Sequence, residues 1–136
     1  MRYLWALLLA GLFCAPCLAQ RNAGADERCS RLPSHVEVRD CLESAARQSG
    51  QDLERAQREL SARLQQWQQE PEYKRASTEA LRRATERFEQ FRDAQCEYVA
   101  SLSAGGNSAS DRRYLCLVEL NVQMTRHLES ERERLR

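Results

Sequence analysis

The sequence predicts an all-α fold, a small disulfide-stapled antiparallel bundle of one short and three longer helices. Three observations carry the prediction. Apolar residues recur at spacings of three and four along most of the chain, the signature of a helix with one buried face. No segment alternates apolar and polar residues over more than four positions, and no Asn-Gly or Asp-Gly hairpin turn occurs. Four cysteines, Cys29, Cys41, Cys96 and Cys116, stand at positions where they can tie helices together.

The chain has 136 residues, room for one domain. Its start is expected to be a cleaved secretory signal peptide, residues 1–19. Arg2 supplies a positive charge, Tyr3 to Phe13 is apolar, and Cys17-Leu18-Ala19 places small residues where a signal peptidase reads. Pro16 and Arg21 interrupt the apolar run before it reaches the roughly 20 residues a spanning helix needs. No stable membrane insertion is therefore expected after cleavage, and the periplasm of a Gram-negative bacterium is the expected location. Cys14 and Cys17 leave with the signal, so four cysteines remain. An even number in an exported chain implies disulfides.

Residues 20–28 are polar and aperiodic and read as a flexible tail. The domain is expected over 29–136. Ser34 and Glu37 form a helix-start pattern, followed by a short helix from about His35 to Gln48 that Ser49-Gly50 breaks or bends. Leu53, Ala56, Leu60, Leu64 and Trp67 line the second helix, which Glu70-Pro71 ends. A connection to about Ala76 follows, with Ser77 or Thr78 capping a third helix. There Leu81, Ala84, Phe88, Phe91, Gln95, Tyr98 and Leu102 share one face, the expected core side. Ala104 to Ser108 is turn chemistry. Ser108 and Asp111 repeat the capping pattern, and Leu117, Leu120, Met124 and Leu128 form the stripe of the last helix. Its end, ESERERLR, is nearly all charge and is expected to fray.

Charge excludes some functions. Without the signal the chain carries 20 basic and 20 acidic residues, because of the 21 basic residues only Arg2 is lost. Zero net charge gives no basic excess for nucleic acid, so no nucleic-acid partner is expected. Four cysteines allow three pairings. Cys29 with Cys41 would pin the tail to the first helix, and Cys96 with Cys116 would span the last turn, where antiparallel arms bring such positions side by side. With no C-x-x-C pair among these four, neither a zinc site nor a thiol oxidoreductase fits. His35 and His127 are the only histidines, and neither has a nucleophile-elbow serine nearby. Gly105-Gly106 lacks the lysine and the preceding strand of a phosphate loop. No catalytic residue, cofactor or metal is expected, and the chain reads as a non-enzyme. Glu79, Glu86, Glu89, Asp93 and Glu97 gather opposite the apolar face of the third helix. Such a stripe is ordinarily a solvated surface; its sharper reading, carried by Glu86, Glu89, Asp93 and Glu97, is a docking face for a basic partner.

The stretch Ala84 to Cys96, ending FRDAQC at 91–96, together with CLVEL at 116–120 and Cys41-Leu42 after Cys29, resembles the LprI-like family of exported proteins. The family pattern runs close to A-Q-R-A-W-I-x-F-R-D-A-x-C, then a Gly-containing loop, a second Cys and a Leu-rich helix. Two departures are Phe88 in place of the usual Trp and Glu89 in place of the apolar residue after it. The resemblance implies inhibition of lysozyme. It implies that Phe88 and Phe91 anchor the core, that Arg92 pairs with an acid on a neighbouring helix, that Asp93 faces water or caps a loop, and that Cys96 and Cys116 bridge the hairpin. The loop Gly105, Gly106, Asn107 and Ser108, with Arg112 and Arg113 behind it, is the candidate binding tip for lysozyme's cleft, and the acidic face could meet that enzyme's basic surface. The alternative is a periplasmic helical interaction module, an envelope adaptor or toxin-immunity protein with another partner. A homodimer is also compatible with such regular apolar stripes.

Overall fold

The computed structural model describes residues 24–135; the expected signal peptide and residues 20–23 lie outside them. Four helices follow one another: α1 (Gly24–Cys29), α2 (His35–Gln66), α3 (Pro71–Ser101) and α4 (Ser108–Arg134). The three long helices run up, down and up. Contacts His35–Asp111, Ser49–Asn121 and Arg63–Leu135 advance together, so α2 and α4 are parallel. Cys96–Cys116 and Arg92–Asn121 run oppositely, so α3 lies antiparallel to α4. The α2–α4 interface is the most extensive. No helix among the described residues is long and apolar enough to cross a membrane.

The bundle class is as expected, but its parts are cut differently. The short helix is α1, inside the expected tail: Ala25 and Cys29 are buried, and α1 borders the α2–α4 seam beside Ala45, Ser49, Val118 and Val122. The expected helices at 35–48 and from 51 are one 32-residue helix. Ser34 caps it, its Oγ accepting from the Glu37 N–H at 3.3 Å and donating to the Glu37 carboxylate at 2.7 Å. Buried Leu42, Ala46, Ser49, Leu53, Ala56, Leu60 and Leu64 recur every three or four positions without interruption. The gain from continuing this seam exceeds the ~1 kcal/mol helix penalty of Gly50.

Pro71 begins α3 rather than opening a connection to Ala76, since a first-turn proline loses no helical hydrogen bond. Ser77 and Thr78 lie inside the helix and cap nothing; Thr78 Oγ1 instead accepts from Gln65 Nε2 at 3.0 Å across the α2–α3 turn. The last turn of α4 does not fray. Arg132 pairs with Glu59, the Leu135 carbonyl accepts from Arg63 at 2.8 Å, and Leu135 packs on the core.

Two supports hold the bundle, one in each half. Leu53, Ala56, Leu60, Leu64 and Leu128 form the apolar cluster, flanked by Trp67, Leu81, Phe88, Met124 and Leu135. The other half carries both disulfides, Cys29–Cys41 and Cys96–Cys116, with Cα atoms 5.6 and 5.4 Å apart. Each closes a short loop and contributes about 3 kcal/mol on the chain-entropy estimate.

A Cβ at Gly50 would meet nothing closer than Asn121 Nδ2 at 3.9 Å, ordinary van der Waals contact. Gly50→Ala should therefore raise stability by about 0.5–1 kcal/mol in urea unfolding, by lowering the entropy of the unfolded chain. A loss would mean that the helix needs glycine there.

Candidate functional site

Around the α3–α4 turn the chain leaves helical geometry. The Ser103 N–H bonds to Ala100 O and the Ala104 N–H to Ser101 O, both at 3.1 Å, closing α3. Ala104 and Gly105 then adopt positive φ, 49° and 79°. Glycine takes this conformation freely and alanine only with strain. The Gly106 N–H returns to Ser103 O at 2.9 Å, which leaves Gly105, Gly106, Asn107 and Ser108 as an exposed knuckle. Asn107 precedes α4 without a side-chain capping bond. The expected Ser108–Asp111 capping box does not form; Ser108 is the first helical residue, and Asp111 instead meets His35 Nε2 at 3.0 Å.

Cys96–Cys116 clamps the arms of this tip, and both cysteines are buried. Arg112 and Arg113 do not act together. Arg112 lines an open groove between α3 and α4 with Gln95, Val99, Leu115, Glu119 and Leu120. Arg113 faces the other side, 3.5 Å from Glu97.

The acidic face is not a bare field of negative charge. Glu79 receives Arg82 at 2.6 Å and Arg83 at 3.1 Å, Glu86 pairs with Arg82, Asp93 with Arg92 at 2.8 Å, and Glu97 with Arg113. The hydrogen bonds from Arg82 hold the Glu79 carboxyl at about 2, below its ordinary 4.5, and raise Arg82 in turn. These arginines answer most of the charge that a basic partner would meet. Glu89 is half-buried.

The motif residues divide. Phe88 packs on the apolar cluster as expected. Phe91 does not anchor the core: it is 55 % exposed, and Tyr98 and Leu102 are similarly exposed. The inner face of α3 is turned about 100°, one residue's step, from the apolar row, and holds Cys96, Ala100, Arg92 and Phe88 instead. Arg92 pairs with no acid on another helix; it donates to Asn121 Oδ1 at 3.0 Å and to neighbouring Asp93 at 2.9 Å. Asp93 faces solvent.

Asn121 was not among the expected site residues, yet it joins three helices. It is 3 % exposed, and its Nδ2 donates to Ser49 Oγ on α2 at 3.0 Å while its Oδ1 accepts from Arg92 on α3. The available signal is that Leu117, Asn121, Met124 and Leu128 run at spacings of four, three and four, putting a polar residue in a core seam. All four downstream cysteines are paired, and among the described residues no three His, Cys, Asp or Glu side chains converge to hold a metal.

Asn121→Leu should destabilise the fold by about 1–3 kcal/mol in urea unfolding, because it removes hydrogen bonds to two buried-side partners. A change under about 0.5 kcal/mol would show that the junction is dispensable. The Glu79 carboxyl should titrate near 2 by carbon-detected NMR. Because its folded pKa is depressed, what the Arg82–Glu79 pair contributes is fully present above pH 4.5 and is lost as pH falls through 2. A midpoint near 4.5 would mean that the pair does not persist in solution.

No curated protein and no solved structure matches the chain significantly. A family model described as lysozyme inhibitor LprI matches residues 17–128, which takes in both disulfides, the α3–α4 tip and the Ser49–Asn121–Arg92 junction. The chain belongs to the lysozyme inhibitor LprI family.

Proposed function

We propose that this chain is an exported, non-catalytic protein that binds lysozyme and blocks its cleft with the α3–α4 tip. The family match over residues 17–128 carries the reading. The two disulfides suit an oxidising compartment such as the periplasm. Lysozyme works with two carboxyl groups flanking a sugar-binding cleft. Filling that cleft stops the reaction, and no chemistry is asked of the inhibitor.

The exposed knuckle 105–108 supports the reading because it projects between two helices locked by Cys96–Cys116. A clamped tip loses little conformational entropy on binding, so more of its contact energy appears as affinity. Arg112, at the edge of the α3–α4 groove, supplies a cation that can approach the enzyme's carboxylates. The ion-paired acidic face supports only weak steering.

Lysis of bacterial cell walls by lysozyme, followed by turbidity, tests this. The oxidised protein should inhibit in proportion to its concentration. Asn107→Arg, at an exposed position without a capping bond, should weaken inhibition at least about tenfold, and Glu86→Arg, away from the tip, should have little effect. No inhibition at molar excess with both disulfides intact would sink the reading. Loss with Glu86→Arg alone would move contact to the acidic face.

A further inference from the structure

Of the six large apolar side chains that stand exposed among the described residues, three are on α3, Tyr73, Phe91 and Tyr98, and a fourth, Leu102, is its C-cap, each 54–59 % exposed. With Ala80 and Ala84, also exposed, they lie within about 20° of one line along the helix. The row is about 44 Å long. In a helix of 31 residues only Cys96 and Ala100 are buried, so α3 is the edge of its own bundle. Its richest apolar face is thus the one that its own fold leaves uncovered.

The row has an internal symmetry. Turned end for end about a point between Arg87 and Phe88, it sets Phe91 over Ala84, Tyr98 over Ser77, Gln95 over Ala80 and Leu102 against Tyr73. In the first three pairs a large residue meets a small one, the knob-and-hole alternation by which helices interlock. A strip of this length and one helix wide covers about 500 Å² on each copy, about 1,000 Å² together, the size at which specific interfaces begin.

We propose that the exposed face of α3, from Tyr73 to Leu102, is a two-fold interface on which a second copy of this chain packs antiparallel. The occupant is another copy because the row complements itself about its own midpoint. The knuckle at 105–108 lies beyond the row and stays free in each copy.

Sedimentation equilibrium of the oxidised protein, with no lysozyme present, tests this independently of inhibition. Twice the monomer mass is expected at tens of micromolar. Phe91→Glu should weaken association at least about thirtyfold and leave helicity unchanged, because the side chain is already exposed. Ala84→Trp should weaken it too, by filling the hole opposite Phe91. Non-specific stickiness would instead be strengthened by the added tryptophan, and that result overturns the proposal. A photo-reactive residue at position 91 should cross-link to the segment around Ala84. A monomer throughout the range overturns it, as does a dimer indifferent to Phe91→Glu. A monomer whose Phe91→Glu variant loses lysozyme binding gives the face to lysozyme and also overturns it.

Discussion

One buried amide, together with the Cys96–Cys116 bridge, sets the register of the three long helices. Asn121 can be satisfied only where Ser49 of α2 and Arg92 of α3 both reach it. A slip of one turn along α4, about 5.4 Å, would leave an amide, a hydroxyl and part of a guanidinium without those partners. Apolar contacts between Leu and Ala faces tolerate such slips far better, because dispersion and burial are not directional. The apolar cluster therefore supplies much of the stability, and the polar junction selects one alignment, the role that a lone polar residue plays in a coiled-coil seam. The ion pair Arg132–Glu59 and the His35–Asp111 contact repeat the same parallel α2–α4 alignment on either side of it.

Much of the fold was legible in the sequence, and two of the misreadings share a cause. Helical class, the last turn and the cysteine staples followed from periodicity, Gly-Gly and spacing. Ser49-Gly50 read as a break because local propensity was weighed without the seam from Leu42 to Leu64 that runs through it. Pro71 read as a loop although its fixed φ and missing N–H suit a helix start equally well. The charged end of α4 read as frayed because Glu59 and Arg63, the groups that hold it, lie more than seventy residues away. At Gly50 and at the end of α4 a tertiary contact decided what a local rule could not.

The site was legible in outline only. The knuckle announced itself by composition, but the divergence of Arg112 and Arg113 depends on the helical phase of α4. The acidic stripe was visible as acids, whereas its neutralisation needed the rotamers of Arg82, Arg83 and Arg92. The third helix was the clearest misassignment. Its most apolar row was taken as the inward face, yet Cys96 and Ala100 face the bundle. A disulfide demands one particular rotation of the helix about its axis, and a covalent bond outweighs the preference of Phe91, Tyr98 and Leu102 for burial. Hydrophobic pattern and topology disagree most where a constraint of another kind is present.

The disulfides join each cysteine of the domain to the next one along the chain, 29 to 41 and 96 to 116. A polypeptide delivered amino-terminus first presents Cys41 while Cys29 is the only free thiol of the domain ahead of it. That pair can close before Cys96 has emerged, and Cys96 then waits only for Cys116. An oxidant that joins thiols in their order of arrival thus produces the native connectivity directly. Thiol–disulfide exchange, the slow step for interleaved frameworks, has nothing to correct.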